Sequence, residues 1–213
     1  MKKVYVVGEA KHYADFIKDF TLVEDIKNAD IVIFTGGEDV DPALYGEKKH
    51  FTTYSNIDRD MYEKKIFEEV EPNQLVVAIC RGSQFVCVMN GGKLIQDCNE
   101  HAMFGTHSII DNETDVIYEI TSTHHQMQYP FNLPQNYYTL KAIAHGNRSY
   151  YYAGTGINEV AILRYGEPEI VIYHVPNKPR CIAIQGHPEY MRKEAPVVTY
   201  LNDLINENLN LLK

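Results

Sequence analysis

The chain has 213 residues, 45% apolar and 23% charged, which suits a globular protein that buries a substantial core. Acidic residues outnumber basic ones by 29 to 20, and the resulting net charge of −9 argues against nucleic acid as the main ligand. No run approaches the roughly 18 apolar residues of a membrane-spanning helix, and four cysteines without a CxxC pair indicate reduced thiols, so we expect a cytoplasmic protein without a membrane partner.

The first half of the chain alternates strand and helix patterns. The segment "KVYVVG" predicts a first strand, and the continuous apolar run at 31–34 predicts a strand covered on both faces. Residues 59–70 place apolar side chains near helical spacing with charges between them. The stretch "VVAICRGSQFVCVMNGG" (76–92) then predicts a strand that runs straight into a helix, with no room for a conventional loop.

The second half is richer in strand patterns. Runs such as "YYTLKAIAHG", "VAILRYG" and "EIVIYHV" alternate with turn residues, and the chain closes with "CIAIQGHPE" and an amphipathic helix that begins near Pro196. Strand–helix alternation followed by a β-rich segment predicts an α/β fold with a mostly parallel sheet flanked by helices. The sequence has no linker pattern, so we expect residues 1–213 to form a single domain.

Cys80 occupies the corner between the predicted strand and helix. This corner should lie at the carboxyl edge of the sheet, where ligands of open α/β sheets bind. The helix start directs unpaired N–H groups and a positive dipole end at the residue, which favours the thiolate that a nucleophile needs. Gly82 is expected to let the backbone turn without a Cβ in the way. A buried structural cysteine is the alternative, and we expect that role for Cys87, Cys98 and Cys181.

A thiolate nucleophile needs a base and a site for the oxyanion. His187 follows an apolar strand and should emerge at a sheet edge, and Glu189, two residues on, can orient its imidazole. The backbone N–H of Arg81 at the helix start is one predicted oxyanion donor, and that of Gly37 in the loop after the strand at 31–34 is a second. Taken alone, either the HPE sequence or the glycine pair is as readily a turn.

Five motifs then carry a resemblance to a known family: "TGGEDVDPALYGE" (35–47), "ICRGSQ" (79–84), "NGGKLIQD" (90–97), "TSTHHQ" (121–126) and "IQGHPE" (184–189). In this order they resemble the class I glutamine amidotransferase-like hydrolases, and most closely the branch of γ-glutamyl-γ-aminobutyrate and γ-glutamyl-polyamine hydrolases. The resemblance implies a flavodoxin-like three-layer sandwich with a β-rich C-terminal insertion, in which Cys80, His187 and Glu189 form the catalytic triad.

The resemblance also implies roles around the triad. The backbones of Gly37 and Arg81 would form the oxyanion hole, and the γ-glutamyl pocket would be lined by Gln84, His124, His125 and Gln126. The chain departs from the family at several places. Ala78 stands for the first glycine of the family's GxCxGxQ pattern, Ser83 replaces the histidine of many glutaminases, and Gly186 stands where the hydrolases usually have Trp or Phe. The N-terminal third is also short for this branch.

Two pairs of polar residues have competing interpretations. Adjacent residues on a strand point apart, and neither His124 nor His125 has a cysteine or acid at ligand spacing, so they predict a pocket wall and no metal. No cofactor is expected either. Asp39 and Asp41 either hold a cationic amine leaving group or cap the turn before Pro42.

Three functions fit this pattern. The first is a stand-alone hydrolase that cleaves a small γ-glutamyl amide through a thioester and releases glutamate and an amine. The second is a glutaminase subunit that passes ammonia to a separate synthetase, and the third is a non-catalytic binding module. The complete triad and the motifs "CRG" and "GGEDVDP" favour the first function. The identity of the amine is left open, as is the presence of a synthetase partner or a homodimer.

Overall fold

The computed structural model describes residues 1–213, apart from the side chain of Phe104. The α-helices are α1 (Ile57–Glu69), α2 (Arg81–Met89), α3 (Glu159–Tyr165) and α4 (Pro196–Asn210). The strands, in chain order, are β1 (Lys2–Val6), β2 (Phe20–Leu22), β3 (Ile31–Phe34), β4 (Leu75–Ile79), β5 (Lys93–Ile95), β6 (Asp97–Cys98), β7 (Ala102–Asp111), β8 (Ile117–Thr123), β9 (Met127–Tyr129), β10 (Tyr138–Ala144), β11 (Tyr152–Ala153), β12 (Pro168–Tyr173) and β13 (Cys181–Ile184). None of the helices in this described part has the length and apolar character that crossing a bilayer requires.

One large sheet organises the molecule. Its strand order is β2–β1–β3–β4–β13–β12–β10–β7–β8. The first five strands in this order, β2, β1, β3, β4 and β13, are parallel to one another. The remaining four, β12, β10, β7 and β8, continue the sheet with antiparallel pairings. The predicted α/β class is therefore confirmed, with the β-rich part of the chain attached to one side of the parallel strands.

Both faces of the parallel strands are covered, which explains their unbroken apolar sequences. Every residue of β3, β4 and β13 is buried. Successive residues of a strand face opposite ways, so Leu75 and Val77 of β4 share a core cluster with Leu201 of α4, while Val76 shares another with Phe85 of α2. Helices on the two faces of the sheet form the three layers that the sequence predicts.

Helix α3 differs from the sequence prediction, which made "VAILRYG" a strand. Asn158 caps the helix with its side chain, which accepts a hydrogen bond from the backbone N–H of Val160, and Gly166 ends it. Val160 and Leu163 are 67% and 68% exposed. The apolar run therefore belongs to a surface helix with one buried side chain, Ile162. The caps at its two ends stabilise the helix more than its β-branched residues favour a strand.

The corner between β4 and α2 differs from the expectation in one respect. The turn is made by Cys80 itself, at φ 52° and ψ −113°, and not by Gly82, which lies within α2. A Cβ at Gly82 would overlap the carbonyl oxygen of Phe34 in β3. The glycine is therefore needed because the start of α2 approaches the backbone of β3 closely.

This close approach predicts that Gly82→Ala destabilises the fold. Overpacking against atoms that cannot rotate away should lower the free energy of unfolding by about 3 kcal/mol. Urea denaturation followed by circular dichroism measures the change. Gly8→Ala is the control, since nothing lies within 4 Å of its new methyl group and only its positive φ of 81° opposes the change, at about 1 kcal/mol. Equal losses for both variants would contradict the close-approach explanation.

Candidate active site

Two neighbouring parallel strands position Cys80 and His187. Ile79 at the end of β4 pairs with Ile184 at the end of β13, and the N–H of Cys80 donates to the carbonyl of Ile184 at 2.8 Å. Cys80 directly follows β4, and His187 lies three residues beyond β13. Residues that are far apart in sequence therefore meet at the carboxyl edge of the sheet, as expected for a ligand site of this architecture.

The backbone of Cys80 is strained and firmly held. A φ of 52° is the left-handed region, which a residue with a Cβ enters at a cost of about 1–3 kcal/mol. The carbonyl oxygen of Cys80 accepts hydrogen bonds from the N–H groups of Ser83 and Gln84 at 2.9 and 3.3 Å. It also accepts one from the Ser83 hydroxyl at 2.6 Å. The Ser83 side chain and backbone thus anchor the corner.

His187 is oriented by a buried carboxylate. Its Nδ1 lies 2.7 Å from Oε1 of Glu189, whose side chain is fully buried, so Nε2 is left for Cys80. Burial acts to lower the pKa of His187, but hydrogen bonds to Cys80 and Glu189 and the negative charge of both raise it to about 10. The Tyr190 ring stacks on the imidazole with centroids 5.2 Å apart. The arrangement favours an imidazolium beside the sulfur of Cys80 at neutral pH.

A tyrosine that the sequence analysis missed completes the surroundings of His187. The Tyr13 ring lies 6.3 Å from the imidazole, measured between centroids. A Cβ at Gly36 would lie 2.6 Å from the Tyr13 hydroxyl and 3.1 Å from Cε1 of His187, so only glycine fits there. Burial and the charge of Glu189 raise the pKa of Tyr13, which keeps the phenol protonated. No local pattern connects the sequence around Tyr13 with this position.

The two predicted oxyanion donors lie at ends of elements near Cys80. Arg81 is the first residue of α2, and its N–H is among those without an acceptor inside the helix. Gly37 has a φ of 142°, and a Cβ there would overlap the guanidinium of Arg59. Both glycines of this loop are therefore closely packed: Tyr13 lies against Gly36, and Arg59 lies against Gly37.

A chain of ion pairs, buried at Arg81 and partly exposed at Arg59, joins the glycine loop to the start of α2. Arg59 donates to Glu38 at 2.6 Å, to Glu63 at 2.8 Å and to the carbonyl of Gly36 at 2.9 Å. The buried guanidinium of Arg81 pairs with Glu63 and Asp60. In the sequence these residues of α1 resemble a solvated charged face, yet Asp60 and Glu63 are 0% and 3% exposed. Glu63 thus links the glycine loop and the start of α2 through two arginines.

Three of the predicted pocket residues form one buried polar cluster. The carbonyl oxygen of Gln126 accepts a hydrogen bond from the Gln84 side chain at 2.8 Å, and Nδ1 of His124 lies 2.9 Å from the same oxygen. The Gln126 side chain donates to Thr53 at 3.1 Å. Burial and the neighbouring His101 lower the pKa of His124 well below its usual value, so this histidine is neutral.

His125 points away from this cluster and toward the aspartates. Its Nε2 lies 3.2 Å from Asp39 and its Nδ1 lies 3.0 Å from Asp97. The hydrogen bond with Asp39 is the largest cause that raises the pKa of His125 to about 9. Asp41 caps the short helix at Pro42–Tyr45 by accepting from the N–H of Ala43 at 2.9 Å. The sequence left open whether Asp41 binds a cationic amine or caps the turn before Pro42, and in the structure it caps this turn.

A second cluster of titratable side chains lies outside these residues. Atoms of His101, His107 and Glu169 lie within 4.8 Å of one another, a spacing compatible with a shared metal ion. The sequence analysis missed this group because no short motif contains all three residues, and it considered only His124 and His125 as metal ligands.

Comparisons with known proteins agree on one family. The profile of the peptidase C26 family matches residues 17–138, more than half of the chain. Protein NtpR of Enterococcus hirae is 29% identical over 123 residues, which are 47% of this chain and 52% of that protein. A glutamine amidotransferase-like protein of Lactococcus lactis subsp. lactis, YvdE, is 34% identical over 149 residues, 58% of this chain and 61% of that protein. The matches thus span about half to three fifths of these curated relatives.

A solved structure extends the likeness over the whole fold. A glutamine amidotransferase from Thermotoga maritima has a TM-score of 0.58, with 99% of this chain and 88% of that chain covered. The sequence identity is only 15%, so this likeness concerns the fold alone. It confirms the predicted flavodoxin-like architecture and includes the strand end that carries His187, which lies beyond the matched residues 17–138.

The four cysteines should differ sharply in reactivity. Burial raises the pKa of Cys87 and of Cys181 to about 12, and it also raises that of Cys98. Cys80 lies beside an imidazolium, so alkylation by iodoacetamide at pH 7 should label it first, as read by peptide mapping. Cys80→Ala should abolish the rapid labelling, and Cys87→Ala should retain it. Persistence of fast labelling in Cys80→Ala would contradict the assignment.

The ion pairs of His125 predict a pH-dependent contribution to stability. Its pKa rises from 6.5 unfolded to about 9 folded, so the stabilisation is complete below pH 6.5 and is lost as the pH rises through 9. The side chain is 34% exposed, so about 1 kcal/mol is the upper limit.

Urea unfolding of the native protein and of His125→Gln at pH 6 and pH 10 measures this contribution. The difference between the two proteins should shrink at pH 10. His145→Gln, at an exposed histidine, should give the same difference at both values. A constant effect of His125→Gln would show that its ion pairs do not stabilise the fold.

Proposed function

Since the chain belongs to the peptidase C26 family of class I glutamine amidotransferase-like proteins, we propose that it hydrolyses a γ-glutamyl amide to glutamate and an amine. Membership of this family supports a cysteine-dependent enzyme that acts on amide bonds. The observation that carries the finer proposal is the joint position of Cys80, His187 and Glu189 at the ends of two adjacent parallel strands.

In the first half of the reaction, the Cys80 thiolate attacks the γ-carbonyl carbon of the substrate. The carbonyl oxygen gains negative charge and is stabilised by the N–H groups of Gly37 and Arg81. The His187 imidazolium then donates its Nε2 proton to the amide nitrogen as the C–N bond breaks. The amine leaves, and a γ-glutamyl thioester on Cys80 is formed.

In the second half, His187 is neutral and accepts a proton from water as the water oxygen attacks the thioester carbonyl. Collapse of this intermediate expels the Cys80 thiolate, releases glutamate and restores the imidazolium. Glu189 keeps Nδ1 protonated and stabilises the positive ring in both halves without itself carrying a proton. The ion pairs of Arg59, Glu63 and Arg81 hold the oxyanion donors in place.

Two residues that contact His187 also line a cavity of about 970 Å³, which does not include Cys80 or His187 in its lining. Thr121 donates to the backbone carbonyl of His187 at 2.7 Å, and Tyr190 stacks on the imidazole ring. The cavity is therefore separated from the triad by Tyr190 and Thr121. Asp39 is paired with His125 and Asp41 caps a short helix, so the two aspartates are already engaged by groups of the protein.

The alternative function is a glutaminase that supplies ammonia to a synthetase. The name of YvdE, a glutamine amidotransferase-like protein, favours it. This function needs no room for a leaving group beyond ammonia and requires a second protein to use the product. The two functions therefore differ in the preferred substrate and in dependence on a partner.

A panel of γ-glutamyl amides distinguishes these functions. Amides of amines larger than ammonia should be hydrolysed with a higher kcat/KM than free glutamine, because a larger leaving group makes contacts with the protein that ammonia lacks. Glutamate release measured for each substrate, with and without added synthetases, gives the comparison. Glutamine turned over best, and only with a synthetase present, would support the ammonia-donor function instead.

Triad variants are the controls for this panel. Cys80→Ala and His187→Ala should each remove turnover of every substrate, and the double variant should be no worse than either single one, because nucleophile and base act as one unit. Glu189→Gln should lose less. Turnover by Cys80→Ala close to that of the native protein would contradict the role of Cys80 as the nucleophile.

A further inference from the structure

Two glutamates are buried in the antiparallel half of the sheet. Glu167 and Glu169 are 0% and 1% exposed, and the ionisable side chains beside them are His101 and His107, which are 0% and 2% exposed. Within the described residues neither glutamate forms an ion pair with a lysine or an arginine. Burying a carboxylate without a positive partner costs several kcal/mol, so this group needs a cation or a proton.

Glu167 is well supplied with hydrogen-bond donors. It accepts from the N–H groups of Arg148 and Ser149 at 2.9 and 2.8 Å and from the Tyr152 hydroxyl at 2.7 Å. Nε2 of His101 lies 3.1 Å from its second oxygen. A hydrogen bond from Nε2 of His101 to this carboxylate places the ring proton on Nε2, which leaves a lone pair on Nδ1.

Glu169 is supplied much less well. Its Oε1 lies 2.8 Å from Nε2 of His107, and its Oε2 is buried without a hydrogen-bond partner in the described residues. Nδ1 of His101 is likewise buried without a partner and lies 3.5 Å from Oε1 of Glu169. Nδ1 of His101 and Oε1 of Glu169 thus face each other at a distance longer than an ordinary hydrogen bond.

The 3.5 Å between Nδ1 of His101 and Oε1 of Glu169 is a separation that a tetrahedral metal ion produces, whereas Nε2 of His107 lies closer to the same oxygen, at 2.8 Å. Ligand atoms at 2.0–2.2 Å from a zinc ion stand about 3.3–3.5 Å apart. Two imidazole nitrogens and one carboxylate are a ligand set that zinc accepts, and the free Oε2 allows Glu169 to bind through both oxygens. A carboxylate behind a ligating histidine, here Glu167 behind His101, is the usual outer partner of such a site.

We propose that Nδ1 of His101, Nε2 of His107 and the carboxylate of Glu169 bind one zinc ion. The ion supplies the positive charge that the two buried glutamates need. It also ties β7 to β12, which are not neighbours because β10 lies between them. The site is structural and separate from the triad, so it does not depend on the proposed hydrolase reaction.

Zinc binding is measured on the full chain in the Cys80→Ala background, since the active-site thiol could itself bind the metal. The protein is unfolded in urea with a chelator, refolded with zinc chloride and dialysed, and its metal content is determined by mass spectrometry. One zinc ion per chain and a higher Tm than the protein refolded with chelator are expected. No retained zinc would overturn the proposal.

Variants locate the ion. His107→Gln and Glu169→Gln should each abolish stoichiometric binding, whereas Glu167→Gln should weaken it by roughly 10–100-fold, as loss of an outer partner does. His145→Gln, at an exposed histidine, is the control that should bind normally. Normal zinc binding by both His107→Gln and Glu169→Gln would overturn the assignment.

Cobalt substitution gives a test that does not require the variants to fold. Cobalt(II) bound to the Cys80→Ala protein should show visible d–d bands of low coordination number and no sulfur-to-cobalt charge-transfer band, since the proposed ligands are nitrogen and oxygen. A strong sulfur band would assign the metal to the remaining cysteines and contradict the site.

Discussion

The backbone of Cys80 sits at φ 52° and ψ −113° at the junction of β4 and α2. Such a conformation costs about 1–3 kcal/mol and persists only where the surroundings leave no alternative. Here β13 binds the N–H of Cys80, and Ser83 and Gln84 bind its carbonyl. These hydrogen bonds fix the backbone conformation of Cys80, which sets the position of its thiol relative to His187 and to the first amide of α2.

The charged residues beneath the corner extend the same constraint to the glycine loop. Arg81 is 1% exposed, and its guanidinium pairs with two carboxylates of α1, one of which also binds Arg59. Removing one partner of a buried pair leaves an uncompensated charge, at about 3–5 kcal/mol. These pairs therefore fix the geometry of the loop and the helix start as one unit, which a site for a developing oxyanion needs.

The two halves of the sheet differ in what fills them. The parallel half buries apolar side chains on both faces and brings the strand ends together. The antiparallel half buries histidines, glutamates and glutamines, which include His101, His124 and Glu169. Polar groups in such a place must satisfy one another or bind a ligand, so this half is where new chemistry of the protein should be sought.

The sequence by itself determined the α/β class, the turn at Cys80, and the placement of Cys80 and His187 at strand ends, because unbroken apolar strands and the residues that end them are local signals. Only the tertiary structure decided that Tyr13 packs beside His187 and that Gly82 is needed for contact with β3. It also showed that Asp60 and Glu63 are buried and that "VAILRYG" is a helix. These features depend on packing between segments far apart in the chain, and local periodicity does not encode which surfaces will meet.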